Sequence, residues 1–140
     1  MLGIQSVDHV GLRISDKDRS VAFYQTLGFK LITDAGFENG HPIILIHPSG
    51  VVFNLLGPAT ESQGENILMD VAEKHPGYTH VALKLESVED AERFLEDNGI
   101  AVTGRRAFEG VKALFIRDPD RNVIELVGPG LTVADRIGDP

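Results

Sequence analysis

The chain has 140 residues, 42% of them hydrophobic and 24% charged, with a formal net charge of −8; one compact domain is the expectation for that length and balance. It contains no cysteine, which excludes disulfides and thiolate metal sites, and the negative charge argues against nucleic acid and anionic membrane surfaces as partners. The first residues, MLGIQSVDHVG, lack the basic start and long apolar core of a signal peptide, and no apolar run approaches the roughly 18 residues that span a membrane. A soluble cytoplasmic protein is therefore expected.

Residues 7–14, VDHVGLRI, read as a strand. Residues 15–18 are polar and suited to cap a helix. In residues 20–27 Val21, Tyr24 and Leu27 recur at helical spacing, and Gly28 follows where a helix stops. Residues 29–33 read as a strand and residues 36–42 as a turn region. Residues 43–47 and 51–56 are two short apolar strands joined by the turn HPSG. A polar stretch, GPATESQGEN, comes next, and residues 67–74 suggest a short helix. The first pattern then returns. Residues 79–85 read as a strand, and Ser87 caps a helix through Asn98 whose apolar face carries Val88, Ala91, Phe94 and Leu95. Gly99 stops it. Residues 100–103, 111–116 and 122–127 read as three further strands.

The return is a repeat. Sliding the chain by 71 residues aligns the halves without a gap: His9 meets His80 (80 − 9 = 71), Phe23 meets Phe94, Gly28 meets Gly99, Pro48 meets Pro119, and Gly57-Pro58 meets Gly128-Pro129. Phe37-Glu38 likewise meets Phe108-Glu109. The expected class is α+β, with two tandem βαβββ modules at 1–58 and 72–130. A linker (59–71) joins them and a tail (131–140) follows, all within one structural domain. Such modules leave sheet faces and edges to cover, so a curved mixed sheet around a cavity is expected, with a small-molecule site inside it.

The repeat also sorts the polar residues that interrupt apolar strands. Glu125 sits among Val123, Ile124, Leu126 and Val127, and its partner position is Asn54 (125 − 71 = 54). The four equivalent positions are thus His9 and His80 on first strands, and Asn54 and Glu125 on last strands. Alternation sets each histidine opposite its apolar neighbours. Two imidazoles and a carboxylate, with Asn54 as a possible fourth position, suit one divalent metal of the Fe, Mn, Zn, Ni or Co type. His41 is a weak substrate-side candidate in a loop, with a solvated loop histidine as the other reading. His47 and His75 each precede proline in turns and receive no role. Arg105-Arg106 read as a solvated strand end, with an anionic substrate as the alternative.

Three segments, DHVGLRI, SVAFYQTLGF and DPDRNVIEL, resemble the first strand, the helix end and the closing hairpin of the vicinal oxygen chelate superfamily. That superfamily includes glyoxalase I, fosfomycin-resistance transferases, extradiol dioxygenases and bleomycin-resistance proteins. The resemblance implies that His9, His80 and Glu125 are metal ligands and that Glu125 is the catalytic carboxylate. It places Asn54 where glyoxalase I has a second glutamate. An amide is no base at neutral pH, so the glyoxalase I route is not expected, and a dioxygenase-like or lyase/transferase-like enzyme is. The alternative is a metal-free protein of the bleomycin-resistance type that sequesters a ligand. The superfamily's habits also imply a homodimer, with a site within one chain or shared between two.

Overall fold

The computed structural model describes residues 1–60 and 64–137; residues 61–63 of the polar linker and 138–140 of the tail lie outside them. The order of elements is β1 (Val10–Arg13), α1 (Lys17–Thr26), β2 (Lys30–Asp34), a 3-10 turn (Phe37–Asn39), β3 (Ile43–Ile46) and β4 (Val52–Leu56). Then follow β5 (His80–Lys84), α2 (Val88–Asp97), β6 (Gly104–Phe108), β7 (Val111–Arg117), β8 (Val123–Val127) and α3 (Val133–Ile137). The strands form two four-stranded mixed sheets, ordered β1-β4-β3-β2 and β5-β8-β7-β6. In each, the first strand runs parallel to the last and the other pairs are antiparallel.

The 71-residue offset holds at the level of hydrogen-bond register. Val10 pairs with Phe53 and Val81 with Ile124, so both members of the pair move by 71 (81 − 10 and 124 − 53). Helices α1 and α2 begin and end 71 residues apart, and their starts share one device. Asp16 accepts from the Arg19 N–H at 2.9 Å and Ser87 from the Asp90 N–H at 3.1 Å, each satisfying one N–H that the first helical turn leaves unpaired.

Two compact units result. The first comprises Met1–Asn66 with Pro119–Arg121, and the second Ile67–Asp118 with Asn122–Pro140. In the first, the helix-side face of the sheet is the core: Ile43, Leu45, Phe53 and Leu55 are buried with Tyr24 and Phe29. Its rings interlock, with Phe29 stacked on Phe53 at 4.7 Å and Tyr24 edge-on to both. In the second, Val88 and Leu95 of α2 are buried, as are Leu114, Ile116, Ile124 and Leu126. The other face of β7 and β8 is buried as well, at Val111, Ala113, Val123 and Glu125.

Some sequence expectations shift. Strand β1 starts at Val10, so His9 stands just before it rather than inside it. Residues 67–74 form turns and no helix. Phe94 is 41% exposed, not core. The strand expected over 100–103 is instead β6 at Gly104–Phe108. The cause is the turn that follows: Glu109 and Gly110 both take positive φ, 49° and 80°. That two-residue connection is the kind that matches strand twist, and it draws β6 along the chain. The corresponding loop of the first unit is longer and holds the 3-10 turn, so Phe37 is buried while its repeat equivalent Phe108 is 55% exposed.

Gly57 and Gly128, equivalent by the offset, are required for closeness. A Cβ on Gly57 would lie 2.5 Å from the Ile14 carbonyl oxygen, and one on Gly128 would lie 2.9 Å from that of Lys112. Each lets the chain leave its last strand while touching a neighbouring backbone.

Candidate functional site

Strands β5 and β8 assemble the polar face of the second unit. His80 is in register with Val123 and Ala82 with Glu125, so His80 and Glu125 share one face, two residues apart along neighbouring strands. Phe115 of β7 is in register with Glu125 on its other side. The result is a close pair: His80 Nε2 lies 3.2 Å from Glu125 Oε2. The Glu125 side chain is only 11% exposed against 33% for His80, and the imidazole meets Phe115 edge-on at 6.1 Å. A carboxylate this buried needs compensation. The imidazole is its close polar partner, and the Arg106 guanidinium lies farther off, 4.0 Å from Oε1.

The other ring nitrogen of His80 is also engaged, with Nδ1 2.8 Å from the Thr79 hydroxyl. His9 repeats the arrangement: its Nδ1 lies 2.6 Å from Asp8 Oδ2. Asp8 and Thr79 are themselves 71 residues apart (79 − 8 = 71). In each unit, then, the residue before the histidine holds Nδ1, and in the second unit Nε2 faces Glu125. The hold on Nδ1 is the orienting contact that ligating histidines use. The only signal of Asp8 and Thr79 in the sequence is the offset, which aligns them as oxygen-bearing neighbours of the paired histidines.

The first unit is different at the carboxylate position. Asn54 is in register with Gly11 and Ile44, and it is half-buried. His9 precedes β1 with its side chain 45% exposed. So the structure brings His80 and Glu125 together within one unit, while His9 and Asn54 belong to the other. Among the described residues no three His, Asp or Glu side chains cluster to hold a metal ion. The donor chemistry of the pair nonetheless fits one: an imidazole Nε2 beside a carboxylate, with the other nitrogen already held, is a standard half-set for a divalent cation.

The remaining histidines have local roles. His47 accepts the Ser49 N–H at 3.1 Å, contacts its hydroxyl at 2.7 Å, and packs on Phe29. His41 is exposed in the loop before β3 and lies against Gly36, and His75 sits 3.8 Å from Glu73 at the surface. A cavity of about 380 Å³ in the first unit is lined by Val21, Ala22, Gln25, Leu31 and the Lys17–Asp34 pair; it contains no histidine. Asp34 there accepts the Phe37 and Gly36 N–H groups, which hold its carboxyl below the usual range, with Lys17 adding to this; the same pairing raises Lys17.

The closing turn is tied at both ends. Asp118 accepts from the Asn122 N–H at 2.9 Å and from its amide at 2.8 Å. Asp120 accepts the Ser15 N–H at 3.0 Å and the Ser15 hydroxyl, with Arg19 at 3.4 Å. The DPD motif thus serves the scaffold that launches β8, the strand carrying Glu125, rather than the chemistry.

The family profile described as "Glyoxalase/Bleomycin resistance protein/Dioxygenase superfamily" matches residues 6–126. The chain belongs to this superfamily. Among its relatives, the glyoxalase domain-containing protein RDO1 of Mycosarcoma maydis is 25% identical over 136 residues, which is 89% of this chain and 69% of that protein. A lactoylglutathione lyase of Schizosaccharomyces pombe is 25% identical over 145 residues, 90% of this chain. The match spans only 48% of the lyase, so the chain corresponds to about half of that protein's length. The crystal structure of SMU.1112c superposes with a TM-score of 0.72 at 30% identity, covering 89% of this chain and 98% of that one. Superfamily membership accounts for the paired βαβββ architecture, and it leaves the reaction to be argued from the site. No helix among the described residues is long and apolar enough to cross a membrane.

Proposed function

We propose that the chain is a metal-dependent small-molecule enzyme in which His80 and Glu125 hold one divalent cation, His9 and Asn54 being the equivalent positions of the first unit. The observation that carries this is the His80–Glu125 pair, with Nε2 and Oε2 3.2 Å apart and Nδ1 of His80 held by Thr79. A divalent cation there supplies Lewis-acid polarisation of two substrate oxygens. The protein's own groups do the rest. Thr79 holds Nδ1 of His80. Phe115 shields the imidazole side, and Glu125, the carboxylate of the face, accepts a proton from the substrate. Asn54 offers an amide that orients by hydrogen bonding and moves no proton. That difference disfavours a two-carboxylate proton relay and favours dioxygenase-like or lyase/transferase-like chemistry on a substrate with adjacent oxygens.

The test is calorimetric titration of chelator-treated protein with Mn²⁺, Fe²⁺, Zn²⁺, Ni²⁺ and Co²⁺. Stoichiometric binding of at least one, lost in His80→Ala with the circular dichroism spectrum unchanged, is expected. A folded protein that takes up none of them overturns the reading. In that case a metal-free ligand-binding protein is the better account; Asn54 favours it, since only one unit then carries a carboxylate at this position. A homodimer is part of the proposal, and a monomer mass by light scattering at micromolar concentration refutes that part.

A further inference from the structure

We propose that Arg106 determines specificity at this site by binding an anionic group, a carboxylate, phosphonate or phosphate, on the substrate. The inference deepens the reading above and rests on it for the position of the substrate. Strand alternation separates the two arginines that adjoin in sequence. Arg105 pairs with Glu92 of α2. Arg106 is in register with Ala113, and Ala113 with Val127, so Arg106 projects from the face that carries Phe115 and Glu125. There its side chain is 58% exposed, with the guanidinium 4.0 Å from Glu125.

The other arginine of that face is already committed. Arg117 makes a two-pronged contact with Asp70, both distances 2.8 Å, and is 12% exposed. Among the described residues Arg106 makes no such fork. A 4.0 Å pair with one partner largely in solvent is weak, and it leaves most of the five donors of the guanidinium open. Once Glu125 is committed to a cation, Arg106 keeps a positive charge beside the substrate position. Its planar fork then matches a carboxylate or phosphate oxygen pair. Arg105 cannot substitute, because it lies on the opposite face.

Two probes isolate the anion: 3,4-dihydroxybenzoate and its uncharged isostere 3,4-dihydroxybenzamide share the same adjacent oxygens. In calorimetric titrations of Mn²⁺-saturated protein, the acid is expected to bind about tenfold tighter than the amide. That preference persists in Arg105→Gln, disappears in Arg106→Gln and returns in part in Arg106→Lys. Equal affinities for acid and amide in the unaltered protein, or a preference that survives in Arg106→Gln, overturn the proposal. A second arm needs no metal: inorganic phosphate is titrated into the metal-free Glu125→Gln variant, where the competing carboxylate charge is gone. Binding there that is lost in the Glu125→Gln/Arg106→Gln double variant supports the role of Arg106, and no binding overturns it. A protein that takes no Mn²⁺ but passes the phosphate arm sinks the metal reading while retaining the anion site.

Discussion

The two units share a backbone and differ at one side chain that matters. Both place a histidine at the entrance of the first strand, and both hold its Nδ1 with the preceding residue, Asp8 in one and Thr79 in the other. The last strand of the first unit offers Asn54 and that of the second offers Glu125, with identical register against the first strand. Among the described residues, the second unit therefore sets a last-strand carboxylate against its first-strand imidazole, whereas the first unit has an amide at that position. The frame repeats from unit to unit because register and helix ends depend on many residues at once. A single position on an open strand face can diverge without disturbing either.

This contrast can be broken from several sides. The largest effect is expected at the donor set: Glu125→Ala should weaken divalent-metal binding by more than about a hundredfold, whereas Asn54→Ala should change it by less than about threefold, both read by calorimetry. Equal losses would show that the units contribute alike. Next come the paired glycines. Gly57→Ala and Gly128→Ala each force a methyl against a carbonyl oxygen and should each cost about 1–3 kcal/mol, measured by urea unfolding. A neutral outcome at either would mean that its strand exit shifts freely.

A smaller effect follows from the contact that orients His80. Thr79→Val should lower metal affinity by about tenfold without changing the unfolding midpoint, and loss of fold in Thr79→Val would make that contact structural. Arg121 then tests the turn. Its φ is 67°, where Gly50, its repeat equivalent, has 95°, and a side chain in that region costs about 1–2 kcal/mol, offset by glycine's own entropy of about 0.5–1 kcal/mol. Arg121→Gly removes that backbone cost together with the contacts of the side chain, so urea unfolding should show a change in stability of no more than about 1.5 kcal/mol. The smallest effect is acidic. The carboxyl of Asp34 is held below its ordinary value of 3.8 by the Phe37 and Gly36 N–H groups. Its contribution to stability is complete above that value and is lost as pH falls below it. Asp34→Ala should flatten that acid limb of an unfolding-midpoint profile and leave the neutral region nearly level.

Sequence alone determined the repeat and, through it, the order of elements. A period-2 alternation, a helix cap and a stop glycine are local events, and they recur 71 residues later because the same backbone is built twice. It also singled out His9, His80, Asn54 and Glu125 as equivalent, since a polar residue inside an apolar strand stands out whatever packs beside it. Tertiary structure decided what the polar residues face. Parity alone could not assign a face to Arg105 or Arg106; the pairing of β6 with β7 turned one toward Glu92 and the other toward Glu125. The Glu109–Gly110 turn moved β6 along the chain, because turn geometry and not apolar content sets where a hairpin closes. The approach of His80 to Glu125 likewise depends on the parallel register of β5 and β8, whose paired residues are 43 apart in the chain (123 − 80 = 43); hydrogen bonding between the strands fixes it and no local pattern encodes it.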